Sequence, residues 1–421
     1  MTASASNNGA GATRSAAGSA ANSADVLIVG GGLVGAALAV ALAQAGLDII
    51  VVDRIEAGGQ LDAGFDGRAS AIAQAPMRML ARLGVWEHLA ESTPILDIRV
   101  ADGASKLFLH YDHAEIGDAP LGYMVENRHL RSALFQALGS QAGVTYLAPA
   151  EITGTRREAS GVRLTLKDGT ALGAPLVIGA DGRSSFMRGQ TDIALTRWSY
   201  GQTAIVCTIA HEKPHNNVAH EHFLPAGPFA ILPISGDRSS IVWTERDSLV
   251  PELMALEEGE FLEALGVRFG DFLGALSLAG PRWSYPLALQ FAHRCIAARL
   301  ALVGDAAHAI HPIAGQGLNL GLRDVAAIAE VVIEAHRLGL DIGASHILER
   351  YDRWRRFDAM LMLGLTDGIN RLFSNDFAAL RLARDLGLAA VNRSGPLKRF
   401  FMRHAMGEAG RLPKLLKGEP V

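Results

Sequence analysis

The chain has 421 residues, 49% of them hydrophobic and 19% charged, and a formal net charge of −4. This is enough apolar material for about two or three domains or one interrupted globular unit, and far from the composition of a disordered chain. The near-neutral balance, with no Lys/Arg stripe interleaved with aromatics, excludes nucleic acid as a partner. The lone cysteines Cys207 and Cys295 offer no redox spacing and no zinc pair, which fits a reducing compartment.

Residues 1–24 are almost all Ala, Ser, Gly, Asn and Thr, with a single charge at Arg14. They cannot bury enough apolar surface to offset the entropy of ordering, and they lack the apolar core of a secretory signal, so a disordered tail is predicted. The uncharged stretch from Val26 to Leu47 is long enough to cross a bilayer. Three glycines, Gly30 to Gly32, interrupt it after the β-branched run VLIV, and a small-residue helix pattern follows. Strand, tight turn and helix account for this better than a membrane span. LDIIVVD then has the pattern of a buried parallel strand ending at Asp53.

Arg68 to Leu83 has helical spacing, and ENRHLRSALFQALGSQ has that of a second amphipathic helix. APLVIGADG and RLALVGDAAHA look like two further buried strands, each ending in Asp beside glycine. Between them, from about Gln190 to Cys295, β-branched and aromatic runs separated by turn residues predict a mainly antiparallel sheet. From about Asn319 to Arg356 the chain turns helical, and an apolar and basic helical tail follows Thr366. The expected fold class is α/β: a Rossmann-type nucleotide-binding domain assembled from 25–95, 126–190 and 296–365, with a substrate domain inserted from 96–125 and 191–295, and a helical tail at 366–421.

The first chemical motif is Gly30-x-Gly32-x-x-Gly35. Its glycines allow the tight turn, the approach of a pyrophosphate to the backbone, and close helix–strand packing, while Asp53 is placed for a ribose hydroxyl. The helix N-terminus offers free N–H groups and partial positive charge to phosphates. These residues do not separate FAD from NAD. The second motif, Asp181-Gly182, is either a capped turn or part of the nucleotide site. The third begins at Asp305 and runs through the glycine-rich turn Gly315 to Gly317 into a helix near Leu318. Three acid–glycine strand ends suit FAD, whose ribityl chain and ring give Asp305 and the turn something to hold. His308 and His311 lie three apart, but no third ligand cluster has metal spacing, so no metal is expected. Phe223, Phe229 and Trp243 are either core of the inserted sheet or, with Leu232 and Pro233, the roof of a pocket over the flavin.

These motifs, in this order, resemble those of the single-component aromatic hydroxylases typified by p-hydroxybenzoate hydroxylase. Within that group, His311-Pro312-Ile313-Ala314-Gly315-Gln316-Gly317-Leu318-Asn319, continuing to Gly321 and Asp324, resembles the signature of the ubiquinone-biosynthesis hydroxylases, as do DGRASAIAQAPMRMLARLGVW, MVENRHLRSAL and the tail beginning TDGINRLFSN. The resemblance spans about residues 25–417. It implies FAD, with Asp53 on the ribose, Asp305 on the ribityl chain, and Leu318 and Asn319 meeting the flavin by backbone. Arg68, Asn127 and Arg128 match positions lining the phosphates or ribityl chain. It further implies reduction by NADH or NADPH, reaction with O2, and transfer of one oxygen atom to the ring of a polyprenylated phenol. A flavin disulfide reductase would need a cysteine pair that is lacking. A non-catalytic FAD-binding accessory protein of a quinone-biosynthesis complex, or a monooxygenase acting on another aromatic, are the alternatives.

From Arg371 to Val421 there are ten Lys or Arg against four acids, with Phe400, Phe401 and Met402 among them. A basic tail with interspersed apolar residues predicts a cytoplasmic protein in peripheral contact with an anionic inner membrane or with a partner complex, through Lys398, Arg399 and Arg403.

Overall fold

The computed structural model describes residues 22–62, 67–103, 108–311, 313–374, 378–408 and 410–421. The apolar runs form the central sheet. Its strands, in spatial order, are Ile296–Ala297, Leu300–Leu302, Leu176–Gly179, Val26–Val29, Ile49–Val52 and Val144–Leu147. All pairs are parallel except the short hairpin at the Ile296 edge. Val26–Val29 sits in the middle, fully buried, in a core shared with helices such as Leu33–Ala43 and with strands Val162–Leu166 and Ala171–Ala174, which leaves no polar side. The uncharged stretch is strand Val26–Val29 and helix Leu33–Ala43, and among the described residues no helix is long and apolar enough to cross a membrane.

The second sheet has nine strands. Its main path runs His308–Ala309, Trp283–Ala292, Leu195–His211, Arg238–Arg246, Gly227–Ile234, Val218–Leu224, Asp97–Asp102 and Phe108–Asp112, with Leu276–Leu278 also pairing on Leu195–His211. It is antiparallel except where Val218–Leu224 runs parallel to Asp97–Asp102. One face packs on helix Glu258–Phe269, enclosing Phe229, Trp243 and Phe261. The other faces the nucleotide domain and the C-terminal helices. A three-stranded sheet, Ala69–Ala73, Gly122–Glu126 and Thr93–Ile95, joins the two parts. A second one, Ile152–Arg157, Val162–Leu166 and Ala171–Ala174, was not anticipated.

Three expectations need correction. Arg68–Leu83 is not one helix: Ala69–Ala73 is a strand and only Gln74–Arg82 is helical. Pairing with Gly122–Glu126 overrides the local periodicity. The tail reading of 1–24 fails at its end, where Gly173 N–H donates to Asn22 O and Ala24 N–H to Gly173 O, tying the segment to a strand edge. Residues 1–21 lie outside the described residues. The boundary at 365/366 falls inside the continuous helix Ser345–Phe373.

Candidate functional site

The first motif is built by close approach. Gly30 has φ +102°, and a Cβ there would stand 2.4 Å from Ala180 O; a Cβ on Gly35 would stand 1.9 Å from Gly30 O. Neither position admits a side chain, so helix Leu33–Ala43 starts hard against the strand end. That helix has no side-chain cap and no acid in its first turn, and a Cβ on Gly32 would meet nothing within 4 Å. Uncapped N–H groups facing open space are what a phosphate requires. Asp53, at the neighbouring strand end, accepts Gly31 N–H at 2.5 Å and Ile55 N–H at 2.7 Å. It braces the glycine turn and retains acceptor capacity for a further donor.

The second and third motifs meet. Asp181 is a cap: Ser185 Oγ donates to it at 2.5 Å and Met187 N–H at 3.0 Å. Gly182, with φ +77°, opens onto free space. Arg188 donates to Arg183 O and to Ala306 O, both at 2.7 Å, and buried Gln290 donates to Arg183 O and Asp305 O. These clamps hold the Asp305 side chain, about half exposed, 3.4 Å from the Arg183 guanidinium. No local pattern marked Gln290, which lies mid-strand in Trp283–Ala292.

Behind Asp305, the buried carboxylate of Asp324 accepts Gly304 N–H at 2.9 Å and Arg355 Nε–H at 2.7 Å, with His308 Nε2 2.7 Å away. Burial would push the Asp324 carboxyl up, but His308 and Arg355 together hold it below the ordinary carboxylate range. His308 therefore faces an ion-pair network, whereas His311 lies edge-on to Tyr200 with ring centroids 5.0 Å apart. They do not converge as a ligand pair. Glu91, Glu126 and His129 do cluster, but Arg128 lies 2.9 Å from Glu126, and Arg238 lies near both acids.

Helix Gln316–Arg337 opens at Gly315, a left-handed residue with φ +63°, and has neither a side-chain cap nor an acid in its first turn. Its N–H groups at Gln316, Gly317 and Leu318 point out of the helix end, and a Cβ on Gly317 would meet open space. Asn319 serves here by its side chain: it accepts Ala73 N–H at 2.9 Å and donates to Ala71 O at 2.7 Å and Gly315 O at 3.1 Å. This staples the helix start to strand Ala69–Ala73. Pro312 lies outside the described residues. Next to that strand, Arg68 lies over the Tyr285 ring at 5.0 Å, its carbonyl accepts Asn127 N–H, and Ser70 Oγ donates to the Asn127 side chain at 2.6 Å. Arg128 pairs instead with Glu126.

An apolar cleft begins where Gln316 and Asn319 end, lined by Ile95, Ile98, Tyr111, Leu121 and Met402. The aromatic assignments divide across the sheet. Leu232 packs beside this cleft, and Phe223 packs on Ile313 and stacks on Phe373 at 4.3 Å. Phe229 and Trp243 do not roof a pocket; both are core against helix Glu258–Phe269, and strand alternation turns Pro233 to the same side. Ile95, Ile98, Tyr111 and Leu121 come from segments that carried no motif, so nothing local could single them out.

Comparison with known proteins agrees with this architecture. The FAD binding domain family matches residues 23–363. The chain is 56% identical to ubiquinone hydroxylase UbiL of Rhodospirillum rubrum, covering 97% of this chain and 96% of that one. It is 36% identical to the 3-demethoxyubiquinol 3-hydroxylase of Escherichia coli, covering 91% and 98%. Among solved structures, p-nitrophenol 4-monooxygenase PnpA of Pseudomonas putida superposes with a TM-score of 0.77 at 19% identity, over 92% of this chain and 99% of that one, a likeness of fold.

Proposed function

This chain belongs to the FAD binding domain family, and from that premise we propose that it is an FAD-dependent monooxygenase hydroxylating the ring of a polyprenylated phenol in ubiquinone biosynthesis, with O2 and with NADH or NADPH as electron donor. The observation that carries the reading is the meeting of two uncapped helix N-termini, at Leu33 and Gln316, with Asp53 and Asp305 at one glycine-lined opening that runs into an apolar cleft.

Bound FAD supplies the redox chemistry of the oxygen transfer. The chain's residues hold it and keep water out. The N–H groups of Leu33, Val34 and Gly35 receive the pyrophosphate, and Asp53 accepts a ribose hydroxyl. Asp305 accepts from the ribityl chain, with Asp181 and Gly182 shaping the adjoining turn. Arg68 and Asn127 line the cofactor beside strand Ala69–Ala73, and Arg128 serves through its pair with Glu126. The helix end at Gly315, Gly317 and Leu318 presents N–H groups and partial positive charge, which favour an anionic ring edge. The chain carries no second glycine-rich nucleotide motif, so the nicotinamide donor docks transiently. Reconstitution with FAD, followed by addition of a prenylated phenol, should give substrate-dependent NAD(P)H consumption and a hydroxylated product. FAD binding without such consumption would make the chain an accessory protein of a quinone-biosynthesis complex.

Peripheral membrane contact belongs to the same reading, moved from the tail to helix Ser345–Phe373. Phe357, Met360, Leu361, Leu365 and Leu372 are exposed at helical spacing along one stripe, Phe357 at 76%, with exposed Arg353, Arg356 and Arg371 beside them. Apolar side chains flanked by cations suit an anionic bilayer surface. The tail itself is less free than its charge suggests. Lys398 is buried against Glu115, Arg384 against Asp102, and Met402 lies in the cleft wall.

A further inference from the structure

Glu221 is a carboxyl set in an apolar row. Strand Val218–Leu224 turns His220 and His222 toward the helix Glu258–Phe269 side, where they meet Phe272 and Phe229. Alternation turns Ala219, Glu221 and Phe223 to the opposite face. The residues in register with Glu221 across the sheet are Leu109, Val100, Ala230 and Val242, none of them polar. One step along the strand, Ala219 packs with the cleft residues Ile95 and Met402; one step the other way, Phe223 touches Ile313, just before the Gly315 turn. Glu221 thus lies between the cleft and the loop leading into helix Gln316–Arg337.

Among the described residues this carboxyl has no hydrogen-bond or ion-pair partner. The charges on its side of the sheet are spent on one another: Asp102 with Arg384 at 2.7 Å, Glu115 with Lys398, and Asp367 with Arg371 at 2.9 Å. His311 is packed on Tyr200, and Tyr111 carries a neutral phenol that burial pushes up to about 12. A carboxyl left without a partner on an apolar surface is costly to the fold, and a polar ligand group offsets that cost. Glu221 itself is only partly buried, which leaves accessible surface for such a group.

We propose that Glu221 binds the phenolic hydroxyl of the substrate and takes its proton. The phenol O–H bond breaks, its electron pair stays on the ring oxygen, and the proton moves to a Glu221 carboxylate oxygen. The resulting negative charge enriches the ring carbons ortho and para to that oxygen, where an electrophilic oxygen atom is received. Burial raises the Glu221 carboxyl to about 8. That lies within about two units of a phenol near 10, so the transfer is far less uphill than to an ordinary carboxylate. The ionised form accepts the proton, so turnover climbs as pH rises through about 8.

This inference rests on the phenol-hydroxylase reading, and its test separates the two. The FAD-loaded full chain and its Glu221→Gln, Glu221→Leu and Glu221→Asp variants are titrated with 2-octylphenol, following flavin absorbance and the pH dependence of kcat/KM. All should retain FAD. Glu221→Leu should bind the phenol at least about tenfold more weakly. Glu221→Gln should lose the rise near pH 8 and about a hundredfold in kcat, and Glu221→Asp should restore part of both. Wild-type affinity and pH profile in the Leu and Gln variants, or loss of FAD from them, would overturn the assignment. A wild-type holoenzyme indifferent to the phenol would instead overturn the phenol-hydroxylase reading beneath it.

Discussion

The Asp324 carboxylate, buried on helix Gln316–Arg337, accepts the backbone N–H of Gly304 at 2.9 Å and so holds the strand end that presents Asp305. The same carboxylate pairs with buried Arg355. Removing one partner of a buried ion pair leaves an uncompensated charge, typically at a cost of about 3–5 kcal/mol. Asp324→Ala should lower the thermal midpoint by that measure and weaken FAD retention together. Asp324→Asn, which can still accept from Gly304, should fall between. Calorimetry and flavin release on gel filtration read both, and undiminished retention in Asp324→Ala would separate the network from the site.

Asp305 is held in place by backbone clamps and has little structural duty of its own. Asp305→Ala should therefore fold normally while losing a charge-assisted hydrogen bond to FAD worth about 1.5–3 kcal/mol, about a ten- to hundredfold weaker affinity. Fluorescence titration of apoprotein measures it. Unchanged affinity would remove Asp305 from the ribityl contact.

His311 should make the protein acid-sensitive. It is fully buried, both ring nitrogens lack a hydrogen-bond partner among the described residues, and burial depresses it to about 4 against some opposition from Asp367. Between about pH 6.5 and 4 the unfolded chain binds a proton that the native state refuses. Its contribution is therefore intact above 6.5 and lost as pH falls through that window, by about 2–3 kcal/mol at pH 4.5. His311→Phe should flatten this slope in urea unfolding at pH 7 and 4.5. Some slope remains from His220, also pushed down to about 4 by burial. An equal slope in the variant would mean that His311 gains a compensating partner when charged.

The exposed stripe on helix Ser345–Phe373 should govern membrane contact. Replacing Phe357, Leu361 and Leu365 by Ser should reduce co-sedimentation with vesicles containing anionic lipid by about tenfold or more, since each buried apolar side chain contributes about 1.5–3 kcal/mol. Neutralising exposed Arg399 and Arg403 should have the smaller effect. Equal binding by the stripe variant would return the contact to the tail.

The sequence alone determined the features that are written within about ten residues: the strand–turn–helix of Gly30 to Gly35, the strand ends at Asp53, Asp181 and Asp305, and the helices at Asn127 and Gln316. Glycine spacing and unbroken apolar runs act through local sterics and burial, so they survive any context. Tertiary structure decided what depends on partners far along the chain. Ala69–Ala73 becomes a strand because Gly122–Glu126 pairs with it and Asn319, 246 residues from Ala73, clamps it. Phe229 and Phe223, on adjacent strands, face opposite sides because sheet register fixes which side chains point where. Lys398 looks like a free surface cation until the fold buries it and pairs it with Glu115, 283 residues away, and Glu221 looks like any surface acid until its row of the sheet proves apolar. Charge and polarity are local properties of a residue; burial and partnership belong to the assembled fold.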